Sequence, residues 1–166
     1  MFGSEQSAPV TALGSETKGR QTPPTVVAST QPNDERESEL RAEGFGEACE
    51  VVHALFSILR GIDPQLEPSF EETKDGKTKY AKLSRNRNKL HFTLWKGSRT
   101  GIGYVKISAD GPNRELWLER FSKAGFNTRQ RDAADDDRLR LNEVTLNLVK
   151  ANNPLLKEYF EVVLGN

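Results

Sequence analysis

Cysteine occurs once, at Cys49, which excludes an internal disulfide framework and any zinc site built from cysteines alone. A reducing compartment is the matching expectation, with the cytoplasm as its default. Only two histidines are present, His53 and His91, so a catalytic triad would have to use one of them. No serine sits in a nucleophile elbow, no glycine-rich run matches a phosphate loop, and no His/Cys spacing matches a zinc site. Neither a cofactor nor a resident metal is expected. Long apolar runs are missing as well: none approaches the roughly eighteen residues of a membrane-spanning helix. The N-terminal Met1-Phe2-Gly3-Ser4-Glu5-Gln6 lacks the basic start and apolar stretch of a signal peptide, so no membrane association is expected. A net charge is also absent, since 24 Lys and Arg balance 24 Asp and Glu.

That neutrality hides a block pattern. Residues 34–72 hold eleven acids and three bases, whereas residues 74–106 hold ten bases and the single acid Asp75. The remainder, 107–166, is close to neutral. A local charge of +9 in a neutral protein is an electrostatic footprint that composition alone conceals.

Residues 1–36 are rich in Ser, Thr, Pro, Gly and Gln and have no apolar periodicity, so burial cannot offset the entropy of ordering them. They are expected to be a disordered tail, followed by one α+β domain over 37–166. Leu40, Phe45, Ala48, Cys49, Val52, Leu55, Phe56 and Leu59 recur at helical spacing, and Gly61 is the expected left-handed stop. The firm part of this helix is 47–60. Cys49 and His53 stand one turn apart, a spacing a metal site can use, but Cys49 falls in the apolar stripe and reads as a core thiol.

Strands are expected over 66–73 and 78–84 around the Asp75-Gly76 hairpin signal, then over 89–95 and 103–108. Alternation places Ala81, Leu83, Leu90, Phe92, Leu94, Val105 and Ile107 against helices. Asp110-Gly111-Pro112-Asn113 announces a helix over 114–124, and the mixed-charge 128–137, with its three consecutive aspartates, reads as a solvated loop. Arg138-Leu139-Arg140-Leu141 starts a fifth strand. Its apolar phase slips at Asn142-Glu143, because Leu139 and Leu141 have one parity while Val144, Leu146 and Leu148 have the other, which implies a bulge or a short break. Pro154 opens a last amphipathic helix. The expected fold is thus α+β, with an antiparallel sheet of four to five strands in the order α-β-β-β-β-α-β-α and helices mainly on one face.

The other face of that sheet is the candidate site. Tyr80, Lys82, His91, Trp95, Tyr104 and Lys106 share the outward parity, and Arg85, Arg87, Lys96 and Arg99 lie in or beside the turns. Arg and Lys suit phosphates, and flat aromatic rings suit the unstacked bases of a single strand, so nucleic acid is the expected partner of a small binding module. An acidic protein partner is the alternative, since lysines on strands also serve to block edge pairing. A second alternative is a metal-dependent nuclease using Asp63, Glu72 and Lys74, the pattern of an acid followed by Glu-x-Lys.

Overall fold

The computed structural model describes residues 33–83, 89–97, 99–130 and 138–165. The expected tail falls outside the described residues as far as residue 32, and Arg85 and Arg87 lie outside them too. Residues 33–40 are helical, so helical structure starts earlier than the expected domain start at 37. Its charged side chains are engaged: Glu37 takes Arg41 one turn on at 2.7 Å, and Arg36 reaches Glu72 at 3.3 Å. Leu40 from this segment is 2% exposed, in the core.

A π-helical turn, Arg41–Phe45, leads into α1, Gly46–Arg60, with Gly44 in the left-handed region at φ 98°. Gly61 departs from the expected left-handed stop. It stays right-handed at φ −71°, and the chain tightens into a turn in which the Ile62 and Asp63 N–H groups donate to Leu59 O. Five strands follow, β1 Pro68–Glu72, β2 Lys79–Leu83, β3 Leu90–Lys96, β4 Gly103–Ala109 and β5 Leu139–Val144, with α2, Arg114–Lys123, between β4 and β5. They form one antiparallel meander in the order β1-β2-β3-β4-β5. At the first hairpin Asp75 accepts from Thr73 Oγ1 at 2.6 Å and from the Lys77 N–H, and Gly76 supplies the positive φ of 70°.

The phase slip in β5 is a bulge: Val105 faces Val144 while Ile107 faces Leu141, with Glu143 at φ 51° in the extra residue's stretch. Leu146 and Leu148, which share strand parity with Val144, lie instead in a short helix, α3, Leu146–Ala151. Thr145 caps it by accepting from the Leu148 N–H at 3.3 Å, which gives the backbone a helical alternative to the ladder. Helix α4, Asn153–Leu164, follows with Pro154 in its first turn.

One parity of β2, β3 and β4 faces the core. Ala81, Leu83, Leu90, Phe92, Leu94, Val105 and Ile107 are all at most 2% exposed, as their alternation predicts. Phe92 is the hinge of the packing, edge-on to Phe56 of α1 at 5.6 Å between ring centroids and to Phe160 of α4 at 6.4 Å. Trp117 and Phe121 of α2 join through Tyr159 of α4, whose hydroxyl is pushed far above its ordinary range by burial. The helices are therefore on one side, and the outward parity keeps intermediate exposure along β2 and β3.

Gly103 fits the π turn against β4: a Cβ there would meet the Phe45 Cα at 3.1 Å and the Gly44 carbonyl oxygen at 3.3 Å, both backbone atoms that cannot swing away. Gly103→Ala is expected to destabilise the protein by about 1 to 3 kcal/mol through overpacking, read as a lower denaturation midpoint in urea. An unchanged midpoint would mean that the turn does not pack here.

Candidate functional site

The strand register arranges the open face in rows. Glu71, Tyr80, Thr93 and Lys106 stand side by side across β1 to β4, and Ser69, Lys82, His91, Ser108 and Arg140 form the neighbouring row across all five strands. On the other flank Trp95 opposes Tyr104, with ring centroids 5.4 Å apart and planes tilted by 39°. Thus Tyr80, Lys82, His91, Trp95, Tyr104 and Lys106, six residues read from three separate stretches of sequence, share one surface. Two grooves run along it. One, of about 590 Å³, is lined by Trp95, Thr93 and Lys106 from the sheet centre and by Arg140, Asn142 and Glu143 of β5, with Asn127 and Arg129 closing its side. The other, of about 640 Å³, extends over Tyr80, Lys82, His91 and Ser108 to Arg138. They share Thr93, Lys106 and Arg140.

The charge of residues 74–106 is not gathered on this face. Lys79 has the core-side parity at the sheet's end and pairs with Glu43 at 3.6 Å and Glu72 at 3.4 Å. Lys96 also has that parity, because β3 runs one residue beyond the expected strand, and its ammonium lies over the Phe45 ring, 5.3 Å from the centroid. Arg99 is exposed in the β3–β4 turn. Lys82 does face outward, but Glu71 holds it at 2.9 Å. Burial pushes the Glu71 carboxyl up, and hydrogen bonds from Lys82, Tyr80 and Ser69 outweigh it, leaving the group below its ordinary range.

What the linear reading assigned to β2 and the turns, β5 supplies in part. Arg140 comes from its outward parity, Arg138 from the residue just before it, and Arg129 from the segment beside it. That segment is fastened to β5 by the Asn127–Asn142 bridge, by Asn142 Nδ2 donating to Arg129 O at 2.7 Å, and by Gln130, which accepts from the Arg140 N–H and donates to Arg140 O. The alternation Arg138-Leu139-Arg140-Leu141 carried the signal: with both leucines in the core, both arginines face out. His91 is held below its ordinary range by burial and then by the positive charge of Arg138, so it is neutral at pH 7 and serves as a polar surface.

The remaining candidates lie elsewhere. Glu72 ends β1 on the helix side, paired with Arg36 and Lys79; Lys74 is exposed in the first hairpin; the Asp63 carboxylate accepts the Gln65 N–H at 3.0 Å. Neither groove is lined by any of the three. Cys49 is fully buried and burial pushes its thiol up to about 11, which suppresses the thiolate. His53 finds its acid sixteen residues upstream, with Nε2 at 2.9 Å from both Glu37 oxygens. Among the described residues no group of three His, Cys, Asp or Glu side chains could hold a metal ion, and no helix is long and apolar enough to cross a membrane.

The chain matches no protein-family model, no curated protein and no solved structure.

Proposed function

We propose that this protein is a binding module that holds single-stranded nucleic acid across the open face of its sheet. The observation that carries the reading is the juxtaposition, in one groove, of the Trp95 ring with Lys106, Arg129 and Arg140. A base needs a flat apolar surface and its phosphate needs cations nearby, and a half-exposed aromatic pair in a groove that also holds Lys106, Arg129 and Arg140 offers both. A strand laid across the sheet passes from Trp95 and Tyr104 over Thr93 and Lys106 toward Tyr80 and His91, with Arg138 and Arg140 along β5. The helices on the opposite side contribute by holding the strands in register. Duplex is disfavoured, because its bases are stacked on one another and withheld from the rings.

The test is the salt dependence of binding, followed by fluorescence anisotropy with short labelled strands. Lys106→Ala is expected to weaken binding about uniformly across sequences and to reduce the slope of log K against log salt by about one unit or less, the signature of one lost phosphate contact. Lys82→Ala is expected to reduce the slope only weakly, since Glu71 holds its ammonium at 2.9 Å. A slope untouched by Lys106→Ala would remove the phosphate from this row. Absence of any binding at low salt would refute the reading and turn attention to an acidic protein partner.

A further inference from the structure

Among the described residues the open face carries two carboxylates in different states. Glu71 is committed to Ser69, Tyr80 and Lys82. Glu143, exposed, lines the Trp95 groove and makes no side-chain hydrogen bond or ion pair with another described residue. Its backbone is in the left-handed region at φ 51°, where a glutamate is rarely found and where glycine or asparagine would be easier. The β5 bulge is what brings it there, by adding one residue opposite the Val105–Ile107 stretch.

A carboxylate in a groove meant only for phosphate is counterproductive, because it repels the ligand. It is useful if it reads a base. Resting on the reading of this face as a single-strand site, we propose that the Trp95 groove selects guanine, with Glu143 as the acceptor for its edge. Guanine alone among the common bases presents two adjacent N–H donors, N1–H and the N2 amino group, on its Watson–Crick edge. They match the two oxygens of one carboxylate, while adenine and uracil or thymine place an acceptor against it. Cytosine, like adenine, offers one amino group beside an acceptor nitrogen and ranks with it. Trp95 provides the stacking surface, and Lys106 and Arg140 take the adjoining phosphate. Each good bidentate contact of this kind is worth about fivefold to a hundredfold between right and wrong bases.

The experiment uses the full chain and four labelled strands, each a short run of thymidines with a single central guest, dG, dA, dC or dT. The dG strand is expected to bind about tenfold tighter than the dT and dA strands. In Glu143→Gln the dG advantage should shrink to under about twofold while the all-thymidine strand tightens slightly, since a negative charge has left the groove. Glu143→Asn, which tolerates the left-handed backbone, provides a second variant that should behave alike. Equal affinity for all four guests, or a dG advantage that survives both substitutions, overturns the selectivity and leaves the binding face standing. Failure of every strand to bind at low salt overturns the face and the selectivity together.

Discussion

Phe92→Ala is expected to cost about 3 to 5 kcal/mol of folding stability, the range for emptying a large buried aromatic site. Phe92 is fully buried and is one contact that α1 and α4 share on the sheet, by way of Phe56 and Phe160. Its loss opens a cavity bounded by three elements, and those elements are fixed by other contacts that prevent full collapse. The measurement is chemical denaturation followed by far-ultraviolet circular dichroism, with a lower midpoint at unchanged slope. A loss under about 1 kcal/mol would contradict the assignment of this parity to the core.

Trp95→Ala is expected to do the reverse. It should weaken single-strand binding by about 1 to 3 kcal/mol through lost stacking. Folding should lose less than Phe92→Ala costs, because Trp95 is half-buried and its one aromatic contact among the described residues is with Tyr104, a pair worth about 0.5 to 1.5 kcal/mol. Anisotropy gives the first number and denaturation the second. If Trp95→Ala unfolds the protein while Phe92→Ala is tolerated, the outward and inward faces have been exchanged. If binding is untouched by Trp95→Ala, bases do not stack at this end of the sheet.

Local pattern carries the central strands. Leu90-His91-Phe92-Thr93-Leu94-Trp95 alternates without interruption, so its faces are legible before any partner strand is placed, and the Asp75-Gly76 turn fixes the register of β1 on β2. The β5 bulge is legible for the same reason, as a change of phase. What eluded a local reading depends on partners far along the chain. Residues 33–36 read as part of the tail until Arg36 is seen against Glu72. Leu146 and Leu148 fit a strand and a helix equally by spacing, and the Thr145 cap decides between them. The basic stretch misleads because charge density along a sequence says nothing of parity: Lys79 and Lys96 turn to the helix side, and Arg138 and Arg140, forty residues or so beyond Lys96 in sequence, line the groove.

The two tryptophans give the most direct test of the central claim, because they lie on opposite sides of the sheet: Trp95 on the open face and Trp117 in the helix layer, 4% exposed against Tyr159. Their indole N–H signals in a two-dimensional ¹H–¹⁵N NMR spectrum, recorded while a short single strand is titrated in, report each side separately. The Trp95 indole signal is expected to move progressively to saturation while that of Trp117 stays in place. Movement of Trp117 with Trp95 unmoved, or saturation by anisotropy with neither signal displaced, would contradict the assignment of binding to the open face.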